Sequence, residues 1–211
     1  MRNFHSPQVN SRMSKSKPQR RIGKESAENR TALIDATERL LRDEGYIAIT
    51  ARNVAEAAGL KTPLVYYYFE TMDDLILEVI RKSSARRLKL FVEALGAEDP
   101  LKALWELHRD HTAGISATEL IALANHRESI RAEAVASARN FRTLQIEAVE
   151  QQLKSRGLDA ETYPAAGIVT IVAALARAMA QDAVLDVNEG YDEAMRLVES
   201  AIASLPPAIP D

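Results

Sequence analysis

The stretch TPLVYYYF, Thr62 to Phe69, sets three tyrosines side by side in a chain with only 5% aromatic residues. Successive side chains point about 100° apart on a helix and alternate between faces of a strand, so three adjacent rings cannot all enter one core. At least one faces outward, offering a partner both a hydroxyl and an apolar ring. A second group with chemical potential is HRDH, in which His108 and His111 stand one helical turn apart. Two imidazoles make half a metal site, and no third ligand follows at a compelling spacing, so no metal is expected. No Ser-His-Asp order, phosphate loop or dinucleotide fingerprint occurs, so neither an enzyme nor a cofactor is expected. The chemistry on offer is recognition.

The elements that must position the tyrosines can be read from capping signals. Leu33, Ile34, Thr37, Leu40 and Leu41 recur at helical spacing and predict a helix over 27–44, stopped at Gly45. Thr50 suits an N-cap for a short helix over 51–58, closed by Gly59 in a left-handed turn. Thr62 suits the next cap and Pro63 the first helical position, where a missing N–H is harmless. The pattern is helix, tight turn, helix. In the second short helix Val65 and Phe69 lie four apart on one face with Tyr68 at its edge, so they serve the core and Tyr66 and Tyr67 point outward. Thr71 with Asp74 three residues on forms a capping-box pattern that starts another helix.

Bulk properties frame these elements. A chain of 211 residues, 46% hydrophobic and 27% charged, has the composition of a soluble globular protein with a substantial core. It contains no cysteine, which excludes disulfides and fits a cytoplasmic setting. Its start lacks the apolar core of a signal peptide. The apolar run from Tyr163 meets Arg177 too early to span a bilayer and reads as a buried helix, so no membrane is expected. The net charge of -3 is uneven: residues 1–24 carry seven basic side chains and no acid, leaving 20 basic against 30 acidic in the remainder. Residues 1–25 therefore read as a basic, disordered tail that either solubilises the chain or seeks phosphates.

The segment IDATERLLRDEGYIAITARNVAEAAGLKTPLVYYYFETMDDL, Ile34 to Leu75, resembles the DNA-binding region of the TetR family of bacterial transcriptional regulators. The resemblance rests on a first helix ending in E-G-Y, a threonine before the second helix, A-x-x-A-G-L at the turn, L/V-Y-x-x-F on the recognition helix, and D-D-L opening the fourth helix. It implies an all-α chain, with a helix-turn-helix DNA-binding domain at 26–73 (motif about 50–69) and a helical effector-binding and dimerisation domain at 74–211. It further implies that Tyr66, Tyr67 and Tyr68 face DNA, with Thr62, Pro63 and Leu64 at the leading edge. Thr50, Arg52 and Lys61 join this DNA-binding set. Lys61 and Met72 replace the serine and the lysine common at their positions.

The second half reads as helices over 73–95, 99–113, 116–125, 127–156, 162–183 and 190–204, punctuated by Gly and Pro. An alanine-rich stripe with Ile168, Ile171, Ala174 and Leu175 is matched in periodicity by Leu197 and Ala201 on the last helix. By the resemblance these two helices pair with those of a second copy in a homodimer. His108 lies on an apolar stripe with Trp105 and has His111 at its edge, and a polar group there needs a partner, either a side chain or a ligand. Asn125 and Phe141 complete the candidate site for a largely apolar small-molecule effector. The reading is a homodimeric repressor of a palindromic operator, released by a ligand. A helical ligand-binding protein with a vestigial DNA head, and an activator acting through protein contacts, are the alternatives.

Overall fold

The computed structural model describes residues 19–109 and 117–209. Among the described residues every regular element is helical. The order is α1 (Gln19–Asp43), a 3₁₀ turn at Tyr46–Ala48, α2 (Ala51–Ala57), α3 (Thr62–Tyr68), α4 (Met72–Leu95), α5 (Pro100–Arg109), α6 (Ala117–His126), α7 (Glu128–Lys154), α8 (Ala165–Ala183) and α9 (Tyr191–Ala203).

Two expectations are corrected. The first helix starts at Gln19 rather than at 27, so part of the expected disordered tail is helical. Gln, Arg and Lys lose little rotamer freedom in a helix, and a good nucleus at Leu33 to Leu41 lets the helix propagate backwards through them. Residues 1–18 lie outside the described residues. The cap of α3 is Lys61 rather than Thr62, and its side chain makes no capping bond. Pro63 thus falls second in the helix, still within the turn whose N–H groups have no helical partner.

One core cluster gathers Leu33, Leu41, Val54, Val65, Phe69 and Leu75 from α1 to α4 and reaches Leu123 on α6 and Ile130 on α7. A second joins Phe91 on α4, Leu101 and Leu104 on α5, Val149 and Leu153 on α7, and Val169 on α8. Helix α4 runs through both, which makes it the strut between the N-terminal helices and the rest. Charge fixes its seat on α1: Lys82 reaches Asp35 at 2.5 Å and Glu38 at 2.9 Å, and Arg86 reaches Glu38 at 2.5 Å. Burial alone would raise the Glu38 carboxyl, but the bonds and charges of Lys82 and Arg86 outweigh it and hold the group below the usual carboxylate range.

Candidate nucleic-acid interface

The turn between α2 and α3 is built by local rules. The Thr50 hydroxyl accepts the Asn53 N–H at 3.2 Å, satisfying an otherwise unpaired donor at the start of α2. At the other end Leu60 N–H returns to Ala55 O at 2.8 Å and Gly59 N–H to Glu56 O at 3.0 Å. This double closure requires a left-handed residue, and Gly59 supplies it with φ +67°. Arg39 on α1 donates to Ala57 O at 3.1 Å, tying the end of α2 to the first helix. Thr71 and Asp74 form a full capping box that stops the chain after α3 and restarts it as α4.

Helix α3 is thereby held by one face. Val65 and Phe69 are buried, each contributing roughly 1.5 to 3 kcal/mol of apolar burial. Arg30 lies over the Phe69 ring, 5.1 Å from its centroid, and pairs with Glu78 at 2.8 Å, which seals the edge of the packing. On the opposite face Tyr66 is 57% exposed and Tyr67 74%. Tyr68 is half-buried against the core and meets the Tyr67 ring edge-on at 4.9 Å, so it supports its neighbour more than it projects. Thr62 and Leu64 are half-buried, whereas Thr50, Arg52, Lys61 and Pro63 are exposed. Together α2 and α3 with their caps expose two cations, two phenols and a hydroxyl, a donor set that suits phosphate oxygens and base edges.

The helices beyond it grip this head at points that sequence gives no sign of. The Glu119 carboxylate on α6 accepts the Tyr46 N–H at 2.7 Å, closing on the turn after α1. Gly45 there has φ +77°, and a Cβ on it would stand 3.3 Å from the same carboxylate. Asp73 at the start of α4 meets Arg127 at 2.6 Å and accepts from Ser129 at 3.2 Å. The partners of these bonds are more than fifty positions apart, so no local pattern could have revealed them.

Of the effector candidates, the structure brings His108 and Phe141 to the contact of α4, α5 and α7, buries Trp105 on α5, and leaves Asn125 apart. Asn125 is exposed near the end of α6, two residues beyond Leu123, which belongs to the first core cluster. His111 lies outside the described residues. His108 is half-buried and fully partnered: its Nδ1–H donates to Leu104 O at 2.8 Å, and its Nε2 accepts from the Gln145 amide at 2.8 Å. Burial pushes its pKa down, against the Leu104 bond, and the charges of Arg142 and Arg87 push the same way, so the ring is neutral at pH 7. Two cavities, of about 280 and 340 Å³, lie elsewhere, beside Phe69 and between α7 and the start of α8. Among the described residues no group of three His, Cys, Asp or Glu could hold a metal ion.

The last two helices leave an apolar face uncovered. Ile171 is 69% exposed and Leu197 72%; Ala174 and Ala201 are exposed beside them, while Ile168 and Leu175 are half-buried. By length and composition alone α8 is also apolar enough to cross a membrane, and 22% of that window is buried, so the buried helix expected from sequence is largely a surface helix.

An all-helical chain in which a short capped helix, a glycine turn and a second short helix present an outward polar face is a helix-turn-helix protein. Residues 33–79 match the family described as bacterial regulatory proteins, tetR family. That match runs from within α1 to the first turns of α4. The chain is 36% identical over 52 residues to the HTH-type transcriptional regulator BetI of Rhizobium meliloti (strain 1021), covering 25% of this chain and 26% of that one. It is 29% identical over 90 residues to the HTH-type transcriptional regulator AcrR of Shigella flexneri, covering 42% of each. The matched segments thus span less than half the length of these relatives. Among solved structures, a transcriptional regulator from Saccharomonospora viridis in complex with choline superposes with a TM-score of 0.69 at 18% identity, over 86% of this chain and 99% of that one.

Proposed function

We propose that the protein is a DNA-binding transcriptional repressor that acts in the cytoplasm as a homodimer on a palindromic operator and is released by a small molecule. The observation that carries this reading is α3, anchored by Val65 and Phe69 with Tyr66 and Tyr67 turned to solvent. The DNA-binding head is residues 26–73, and residues 74–211 form the effector-binding and dimerisation part. Tyr66, Tyr67, Arg52, Lys61 and the Thr50 hydroxyl contact the operator; Thr62, Pro63 and Leu64 set the leading edge, and Tyr68 braces Tyr67. The exposed α8–α9 face joins the two copies, its alanines allowing close backbone approach and Ile171 and Leu197 supplying apolar area. Two heads held in this way meet successive major grooves about 34 to 36 Å apart.

The effector binds where α4, α5 and α7 meet, at Trp105, His108 and Phe141. It acts only through a difference in affinity between two head spacings. The Glu119 and Asp73 contacts carry that difference, because they tie α6 and the start of α7 to both ends of the head. Selection of binding sites from random-sequence DNA tests the reading. A two-fold symmetric consensus, bound with an affinity that falls steeply with salt, supports it. Binding without sequence preference would leave a ligand-binding protein with a vestigial head.

A further inference from the structure

The charge of the head opposes the task proposed for it. Residues 26–73 hold five basic side chains against eight acidic ones. Three of the five cations are occupied: Arg30 pairs with Glu78 at 2.8 Å, Arg42 pairs with Asp43 at 3.0 Å, and Arg39 donates to Ala57 O at 3.1 Å. Arg52 and Lys61 are exposed and, among the described residues, meet no acid. Two cations on an acidic head attract a polyanion weakly, because the sequence-independent part of DNA affinity grows with the number of phosphates that Lys and Arg neutralise.

The missing positive charge stands immediately before the head. Residues 1–24 hold seven basic side chains and no acid, and three of the seven, Arg20, Arg21 and Lys24, fall in the first six residues of α1. Helix α1 begins eleven residues before Arg30, which at 1.5 Å per residue is about 16 Å of helix. The core does not hold that stretch: among the residues whose side chains are described, Leu33 is the first buried one of α1. Arg30 is also where α1 meets the end of α3. Its guanidinium lies 5.1 Å from the centroid of the Phe69 ring, and Phe69 caps α3 directly after the three tyrosines. The chain ahead of Arg30 therefore sets out from the end of α3 that carries Tyr66 and Tyr67.

We propose that residues 1–24 are a second DNA-contacting region: Arg20, Arg21 and Lys24 on the leading turns of α1, with Arg2, Arg12, Lys15 and Lys17 before them, cover phosphates of the duplex that flanks the base pairs read by α3. This rests on the DNA-binding reading above and adds the source of most of the phosphate contact. Phosphates are alike at every base pair, so the region supplies affinity and no sequence preference. It also offsets the acidity of the remaining chain, 20 basic against 30 acidic side chains, which would otherwise repel the duplex.

The test uses the full-length chain with charges removed. One variant carries Arg20→Gln, Arg21→Gln and Lys24→Gln; a second adds Arg2→Gln, Arg12→Gln, Lys15→Gln and Lys17→Gln. Glutamine forms helix about as well as arginine and lysine, so α1 is retained. Each protein is titrated by fluorescence anisotropy against a labelled duplex selected from random sequence and against an unrelated duplex, over a range of salt, beside its melting temperature. At about 0.1 M salt the sevenfold variant should bind both duplexes about tenfold or more weakly than the native protein, and the triple variant should lie between them. The ratio between the duplexes and the melting temperature should not change. Each phosphate contact contributes about 0.9 to the slope of log affinity on log salt, so the slope should flatten by several units in the sevenfold variant. Arg20→Lys with Arg21→Lys keeps the charge and should keep the slope; a loss as large as with glutamine would make these residues structural and overturn the proposal. A loss confined to the selected duplex also overturns it. A selected consensus that the sevenfold variant binds with native affinity and slope removes the second region and keeps the α3 reading. Salt-dependent binding without sequence preference, abolished by the seven substitutions, keeps the second region and removes the α3 reading.

Discussion

At the scale of single residues, the structure separates side chains that hold the fold from those free to meet a partner. The His108 ring is held through both nitrogens, and its neutrality has a measurable cost. Its folded pKa is depressed while the unfolded ring titrates near 6.5, so the unfolded chain takes up the proton first as pH falls. The stability that the neutral ring contributes is complete above about 6.5 and is lost as pH drops from there through the lowered folded value. Melting temperature should therefore decline between pH 7 and pH 5 more steeply in the native protein than in His108→Gln; parallel slopes would mean that the ring is not held neutral. The sequence pointed to His108 as a polar group on an apolar stripe but not to Gln145, which satisfies it from 37 positions away. Asn125 was grouped with it on residue type, and packing placed Asn125 outside because α6 turns its apolar face to the head.

At the scale of elements, α1 to α4 were legible because their signals are local. The Thr50 cap, the Gly59 turn and the Thr71–Asp74 box all act within a few residues, and the four-residue spacing of Val65 and Phe69 fixes which face of α3 is buried. The backward extension of α1 to Gln19 was not legible, since polar residues propagate a helix without leaving an apolar period. Nor was the seat of α6 on the head, which depends on one carboxylate and a distant N–H. Removing that carboxylate leaves the Tyr46 N–H without its partner, at a cost of about 1.5 to 3 kcal/mol for a bond to a charged group. Glu119→Ala should expose the Tyr46 amide to hydrogen exchange and uncouple the head from α6, whereas Glu119→Gln, which keeps an acceptor, should lose less. Unchanged protection at Tyr46 in Glu119→Ala would show that the contact holds nothing.

At the scale of the molecule, the two ends of the account are an exposed face on α8 and α9 and an exposed face on α3. Ala174→Arg puts a long charge where small side chains invite a second copy, and burying it unpaired should cost several kcal/mol. Sedimentation should then find a dimer for the native protein and a monomer for Ala174→Arg; a variant that stays dimeric would move the interface elsewhere. The central claim, that α3 offers its outer face to DNA, is tested most directly by measuring melting temperature and operator affinity side by side for Tyr67→Ala and Phe69→Ala. Tyr67→Ala should melt as the native protein does and bind its operator about 1 to 3 kcal/mol more weakly, the loss typical of one specific contact. Phe69→Ala should lose about 3 to 5 kcal/mol of stability by opening a cavity in a small core. If Tyr67→Ala melts early and binds DNA normally, the ring is part of the fold and the outer face of α3 does not read the operator.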